Sequence, residues 1–278
     1  MNYNENIVVI DSGIGGLHIL KECQRRLPQF NYIYVADTVN APYGDKSRKS
    51  LRKIAYNLIK ELNDAYNPQL FVLACNTLTV NCINFLRGKF NKQFVGVEPA
   101  LKTARINGGN TIIFATQSTL NSYGKLNRKI TKQLKQEFKD SGLIYKNNDR
   151  IFKVSIPRLS ILIDEHSDKL DSLMPILLKK FNKEKFKKSG NLVLGCTHFM
   201  AIKKQLKEIL GENIQILDGA VPVSKRVEYL TNNEPGSSLA LKQTKKSDIK
   251  KQTKIMFLST SGITAQKNKL KKYFEKLN

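Results

Sequence analysis

The sequence predicts an α/β protein of two lobes, each a mainly parallel sheet flanked by helices, and three observations carry that expectation. Short apolar, β-prone runs alternate with stretches of helical apolar spacing along most of the chain. The rhythm restarts after Glu98-Pro99. Two segments also repeat each other 121 residues apart, Phe71-Val-Leu-Ala-Cys75-Asn-Thr77 and Leu192-Val-Leu-Gly-Cys196-Thr-His198. Each is an apolar run ending in a small residue, a cysteine and two polar groups. Ligands of α/β folds bind just past the carboxyl ends of strands, so two such ends facing each other would put a thiol on either side of a small molecule.

In order along the chain, Ile7–Ile10 reads as a strand that ends at Asp11-Ser-Gly-Ile-Gly-Gly16, followed by a helix over Leu17–Leu27. Tyr32–Ala36 is the second strand, ending at Asp37-Thr38 and the loop Asn40–Asp45. Ser47–Tyr66 has helical spacing, Leu70–Ala74 is a strand, Leu78–Leu86 a helix and Phe94–Val97 a strand. A helix over Ala100–Asn107, a strand over Thr111–Ala115 and the polar turn Thr116-Gln-Ser-Thr119 then lead to a basic helix over Tyr123–Asp140. A strand at Phe152–Val154 precedes one helix, Leu162–Phe181, which Pro175 interrupts or kinks. Leu192–Leu194 is the second cysteine strand, with a helix over Phe199–Leu210 behind it. Ile214–Leu217 is a strand ending at Asp218-Gly219, and Val221–Leu230 a helix. Ser237–Lys254 is lysine-rich without periodicity and reads as an exposed loop before a strand at Ile255–Ser259 and a terminal helix at Ala265–Leu277. The simplest division gives a first lobe of residues 1–99 plus 214–278 and a second of 100–213.

Composition narrows the function classes. With 278 residues, 41% hydrophobic and 25% charged, the chain is long and apolar enough to bury a substantial core. No apolar run approaches the roughly 18–20 residues of a membrane span, and the first ten residues lack a basic leader with a signal-type apolar stretch, so a cytoplasmic protein is expected. In that compartment the four cysteines, Cys23, Cys75, Cys82 and Cys196, are expected as free thiols. There is no CxxC pair, and three histidines are too scattered to suggest a metal site. Cys23 and Cys82 fall in helical stretches and read as core packing, which leaves Cys75 and Cys196 in polar strand-end contexts where reactive thiols occur. The net charge of +24 favours contact with polyanions. The lysines are spread over many segments, including Lys179–Lys188 and Lys245–Lys254, with no helix-turn-helix, zinc-finger or aromatic RNA-binding signature, so nucleic-acid contact is expected to be incidental. The same positive field would help capture a small acidic substrate.

The glycine-rich turn after the first strand allows close approach of an anion to backbone amides. It departs from GxGxxG, and the plainer alternative is a tight β–α turn with Asp11 as a helix cap. Ala41-Pro42-Tyr43-Gly44 reads either as a simple β-turn or, at the carboxyl edge beside Asp11 and Cys75, as a loop whose amides receive a carboxylate. Asn76, Thr77 and Thr197 place donors and acceptors beside each thiol, suited to the carboxylate and ammonium of an amino acid. A thiol of reference pKa about 8.5 must be deprotonated to act as a base. Asp11 beside Cys75, and His198 beside Cys196, can take up or return that proton, although His198 alone also fits a hydrogen-bonded structural role.

These blocks together resemble the glutamate racemases of the cofactor-independent aspartate/glutamate racemase superfamily. The matching segments are Val9-Ile-Asp-Ser-Gly-Ile-Gly-Gly-Leu17, Ala36-Asp-Thr38 with Ala41-Pro-Tyr-Gly44, Leu73-Ala-Cys-Asn-Thr77, Gly96-Val-Glu-Pro-Ala100, Leu192-Val-Leu-Gly-Cys-Thr-His198 and Asp218-Gly-Ala220. They are collinear with the family over nearly the whole chain. The resemblance implies two pseudo-symmetric α/β lobes with the active site in the cleft between them. It implies interconversion of L- and D-glutamate without pyridoxal phosphate or metal, supplying D-glutamate for peptidoglycan and so for cell-wall biogenesis and cell shape. It also implies a cytoplasmic homodimer with no membrane contact. By it Cys75 takes the α-proton from D-glutamate and Cys196 from L-glutamate, assisted by Asp11 and His198. Ser12, Pro42, Tyr43, Gly44, Asn76, Thr77, Thr119 and Thr197 fall where the family binds substrate.

Departures are local. The family's Thr-x-Gly-Thr turn is Thr116-Gln-Ser-Thr119 here, and its Ala-Cys-Pro segment is Ser155-Ile-Pro157. The acidic residue assisting Cys196 is then Asp164, with Glu165 as the alternative. Two rival functions stay open at this level. One is racemisation of another acidic amino acid such as aspartate, whose missing methylene is worth only about 1–3 kcal/mol in a pocket. The other is a basic DNA- or topoisomerase-binding protein on the same fold.

Overall fold

Six consecutive residues, Asn6–Asp11, are all buried and form the first strand, β1. Continuous apolar runs of this kind suit strands covered on both faces, and every strand pairing among the described residues is parallel. The computed structural model describes residues 6–140, 150–178, 189–233 and 253–277. The chain divides into two units, Met1–Val97 with Gly219–Asn278, and Glu98–Asp218.

In the first unit β1 is followed by α1 (Leu17–Arg26), β2 (Asn31–Ala36), α2 (Arg48–Tyr66), β3 (Leu70–Leu73), α3 (Asn76–Arg87) and β4 (Gln93–Gly96). The apolar stripe of α2 shows why it forms: Leu51, Ala55, Ile59 and Leu62 are spaced to share one face, and all four are buried. Ser47 caps it, its hydroxyl accepting from the Ser50 N–H, and Asn67 ends it in the left-handed conformation. Those side chains join Val8, Ile10, Phe71, Leu73, Leu78, Cys82 and Phe94 in one core.

The second unit runs α4 (Leu101–Asn107), β5 (Asn110–Ala115), α5 (Gln117–Asn121), α6 (Tyr123–Asp140), β6 (Ile151–Val154), α7 (Leu159–Glu165), α8 (Leu170–Leu178), β7 (Ser189–Gly195), a 3-10 turn (Thr197–Ile202), α9 (Lys203–Leu210) and β8 (Gln215–Leu217). Leu101, Ala104, Ile113, Leu120, Ile130, Leu134 and Val193 form its core. The chain then returns to the first unit through α10 (Ala220–Asn232), β9 (Ile255–Ser259) and α11 (Thr264–Glu275). α10 packs on α1, and Arg26 reaches Glu228 at 3.5 Å.

The strand orders are β4-β3-β1-β2-β9 and β6-β5-β7-β8. Reversed, the second order is β8-β7-β5-β6, the same as β4-β3-β1-β2 with every number raised by four. The two sheets therefore repeat one topology, and β9 adds a fifth strand to the first. In each sheet the chain leaves a central strand to one side and then crosses to the other. The crevices where ligands bind in such sheets lie at that reversal, past the ends of β1 and β3 and past the ends of β5 and β7.

Three sequence expectations change. The sequence division places the strand at Ile214–Leu217 in the first lobe, but β8 pairs with β7 through Leu192↔Ile216 and Val193↔Leu217. It is the counterpart of β4, closing its own sheet before the chain returns. The single helix expected over Leu162–Phe181 is two, α7 and α8, and the break comes at His166–Lys169, ahead of Pro175, which lies within α8. Short polar Ser167 and Asp168 favour a turn there, and the Lys169 N–H donates to His166 O at 2.9 Å. The helix expected from Phe199 starts as the 3-10 turn and becomes α-helical at Lys203. Most of the basic loop expected over Ser237–Lys254, and the basic stretch 179–188, lie outside the described residues.

Candidate active site

The first reversal point gathers Asp11, Ser12, Tyr43, Cys75, Asn76 and Thr77. Asp11 ends β1 with no exposed surface, and its Oδ1 accepts the Gly13 N–H at 2.8 Å. The turn it starts is so tight that a Cβ on Gly16 would lie 2.7 Å from Asp11 Cβ and 2.9 Å from Tyr34 Oη. Only glycine fits that approach. Tyr34 Oη in turn donates to Gly13 O at 2.6 Å and pins the turn. Cys75 stands two residues beyond β3, in extended backbone at the N-terminus of α3, the helix end that favours negative charge. Asn76 and Thr77 open the helix and are buried, and the Asn76 amide donates to Val97 O at 3.3 Å.

One carboxylate in this cluster escaped the sequence analysis as a functional group. Asp37 is fully buried at the end of β2. Its oxygens accept from Asn40 Nδ2 at 2.9 and 3.1 Å, from Tyr43 Oη at 2.7 Å and from Thr260 Oγ1 at 2.8 Å. Its own N–H donates to Asp11 O at 2.8 Å. Asp37 thus ties the Asn40–Asp45 loop, which includes a cis Ala41–Pro42 bond and the 3-10 turn Tyr43–Asp45, to the end of β9. Burial holds the Tyr43 phenol well above its ordinary pKa, and the Asp37 charge, Cys75 and Asp11 push the same way. Tyr43 is therefore a neutral hydrogen-bonding group, close to both Cys75 and Asp11. The signal in the sequence was the three-residue spacing of Asp37, Asn40 and Tyr43, which lets one side chain collect several local donors.

The second reversal point gathers Thr119, Asp164, Cys196, Thr197 and His198. Cys196 follows β7 in extended backbone, as Cys75 follows β3, and is buried with 7% of its surface exposed. His198 Nδ1 lies 3.9 Å from Cys196 Sγ, and His198 Nε2 lies 3.4 Å from Asp164 Oδ2. In the tautomer that carries its proton on Nε2, His198 donates towards Asp164 and its Nδ1 lone pair faces the thiol. The three side chains form a line of carboxylate, imidazole and sulfur. Asp164 reaches it because Arg158, in the left-handed conformation with φ 59°, turns the chain into α7, which packs on the 3-10 turn. Glu165, one residue on, is exposed.

Thr119 is buried, and Thr116 caps α5 by accepting from the Thr119 N–H at 3.3 Å while its hydroxyl donates to Thr119 Oγ1 at 3.1 Å. Ser118 sits inside that short helix, a backbone that any residue adopts, so the glycine of the family's turn is not needed here. The close approach in this sheet is at Gly195, where a Cβ would lie 2.7 Å from Ala115 Cβ.

The other two thiols lie away from both reversal points, on α1 and α3. Burial pushes both Cys23 and Cys82 up to about 12, which leaves them protonated and inert. Among the described residues no group of three or more His, Cys, Asp or Glu side chains is placed to hold a metal ion.

No family model matches the chain. A glutamate racemase of Clostridium botulinum (strain Alaska E43 / Type E3) is 36% identical over 229 residues, 81% of this chain and 83% of that protein. The chain belongs to the glutamate racemase family. Two solved glutamate racemases agree. That of Escherichia coli, in complex with L-glutamate and the activator UDP-MurNAc-Ala, is 27% identical with a TM-score of 0.72, covering 97% of this chain and 95% of that one. That of Francisella tularensis, in complex with D-glutamate, is 25% identical with a TM-score of 0.73, covering 99% and 94%. As in other members of the glutamate racemase family the fold is α/β, with two parallel sheets flanked by helices. No helix among the described residues is long and apolar enough to cross a membrane.

Proposed function

We propose that this racemase interconverts L- and D-glutamate with two thiol bases, Cys75 and Cys196, serving opposite faces of one α-carbon. The observation that carries the reading is the equivalence of the two cysteines. Each follows the same strand of the same topology, at the point where that sheet's strand order reverses. In the D-to-L direction the Cys75 thiolate takes the α-proton and the Cys196 thiol donates its own to the opposite face. The bond electrons rest on the α-carbon and its carboxylate in between. The L-to-D direction exchanges the roles, and each turnover leaves the thiol and thiolate swapped. The scheme uses neither pyridoxal phosphate nor a metal.

Asp11 serves Cys75, and the His198–Asp164 pair serves Cys196, each holding or returning a thiol proton. The 3.4 Å approach of Asp164 to His198 supports Asp164 over Glu165 in that role. Ser12, Asn76 and Thr77, the Pro42–Gly44 loop, Thr119 and Thr197 supply the hydrogen bonds for the substrate's carboxylates and ammonium. The product would feed peptidoglycan synthesis in the cytoplasm, and the active form would be a homodimer.

The test follows optical rotation of L- and D-glutamate, and of L- and D-aspartate, by circular dichroism with no added cofactor. Loss of signal from both glutamates and neither aspartate is expected. Racemisation of aspartate alone would keep the mechanism and overturn the substrate.

A further inference from the structure

α2 and α3 build a concave surface in the first unit whose lining does not include Cys75. It is a groove of about 500 Å³ lined by Arg48, Lys49, Arg52, Lys53 and Phe85. Four of its five lining residues are cations, and they recur at i, i+1, i+4 and i+5 on one helix. That arrangement is locally unfavourable. Like charges four apart on a helix repel, and Arg48 and Lys49 sit in the first turn of α2, where the helix dipole opposes positive charge. No acidic residue occupies that first turn. Arg48, Lys49 and Lys53 form none of the ion pairs among the described residues.

Arg52, by contrast, is fixed. Its Nε donates to Asn81 O at 3.1 Å, and its guanidinium carbon lies 5.3 Å from the centre of the Phe85 ring. A stacked, half-buried guanidinium is a pre-organised donor for a phosphate, whereas the flanking Lys49 and Lys53 are exposed point charges. The positive field reaches inward as well: Arg52 and Arg48 are the two groups that oppose the upward push of burial on the Cys82 thiol.

We infer that this groove is a binding site for a compact, multiply charged phosphate anion of the polyphosphate type. Such a ligand neutralises four cations held within two turns of one helix, and the groove's volume matches a small molecule rather than a polymer. Glutamate carries too little charge to satisfy the cluster. The site is joined to the machinery of the proposed reaction through its own scaffold. α2 begins three residues after the Tyr43–Asp45 turn, and α3 begins at the residue after Cys75.

The experiment titrates the full-length protein with inorganic triphosphate and, separately, with adenosine triphosphate, by calorimetry at about 0.15 M salt, where unspecific surface attraction is screened within about 8 Å. Saturable one-to-one binding of inorganic triphosphate is expected. A double variant, Arg48→Glu with Lys53→Glu, should weaken it at least about tenfold. A charge-matched control, Lys204→Glu with Lys271→Glu on exposed positions elsewhere, should leave it within about twofold. Equal affinity for the two probes locates recognition in the phosphates; tighter adenosine triphosphate binding, lost in Phe85→Ala, adds a ring contact to the same site. Non-saturable binding, an equal loss in the control pair, or binding of long single-stranded DNA without binding of triphosphate would overturn the inference. Far-ultraviolet circular dichroism of each variant separates loss of the site from loss of the fold.

Discussion

Asp164→Asn removes the charge that faces His198 while keeping the shape of the side chain. At 3.4 Å the attraction between Asp164 and a protonated His198 is at most about 5 kcal/mol for an effective dielectric of about 20. Asp164 is 27% exposed, so water screens much of that, and an amide oxygen can still accept the Nε2 proton. The net loss is then about 2 kcal/mol, or about 30-fold in kcat/KM. Enantiomers have equal free energy, so kcat/KM must fall by the same factor in both directions even though Asp164 assists only one thiol. The asymmetry can appear only in how kcat and KM share the loss. The assay is initial-rate circular dichroism from L- and from D-glutamate over a range of concentrations, with Glu165→Gln alongside. A loss under twofold in Asp164→Asn, or an equal loss in Glu165→Gln, would refute that role for Asp164.

Three further outcomes follow from the geometry. Tyr43→Phe takes a 2.7 Å donor from the fully buried Asp37 carboxylate, which should cost about 1–3 kcal/mol in urea unfolding and raise KM more than it lowers kcat; unchanged stability and KM would contradict the assignment of Asp37 as the anchor of that loop. Gly16→Ala places a methyl 2.7 Å from Asp11 Cβ, so overpacking should cost about 1–3 kcal/mol and displace Asp11, lowering melting temperature and kcat together. Cys82 has a folded pKa raised from 9.0 to about 12, so its contribution to stability is whole below pH 9 and is lost as pH rises from 9 towards 12. Stability should therefore fall by about 1 kcal/mol per such thiol between about pH 9 and 10, and Cys82→Ala should flatten that slope; an unaltered slope would contradict it.

The central strands and both cysteine turns were legible because they are local. Leu70–Leu73 and Leu192–Leu194 are short apolar runs with an abrupt polar end, a pattern that needs no tertiary information, although the second strand starts earlier, at Ser189. What escaped depended on contacts distant in sequence. β8 looks like any three-residue strand, and only its pairing with Leu192 and Val193 assigns it to the second sheet. Asp37 looks like an ordinary strand-end carboxylate, and its Thr260 partner is 223 residues away. Asp164 and Glu165 are equivalent as sequence neighbours, yet successive helical residues point about 100° apart, and only Asp164 faces His198. The break at His166–Lys169 was masked by apolar spacing that runs through it from α7 to α8.

The central claim is that two thiols act on opposite faces of one α-carbon, and α-proton exchange in D2O tests it most directly. Wild type, Cys75→Ser and Cys196→Ser would each be given L- and D-glutamate, with deuterium incorporation read by mass spectrometry and configuration by circular dichroism. The account predicts that wild type exchanges and inverts both enantiomers, and that neither variant inverts either one. It further predicts that any residual exchange is confined to D-glutamate in Cys196→Ser and to L-glutamate in Cys75→Ser. Inversion that survives in either variant would contradict the two-base mechanism.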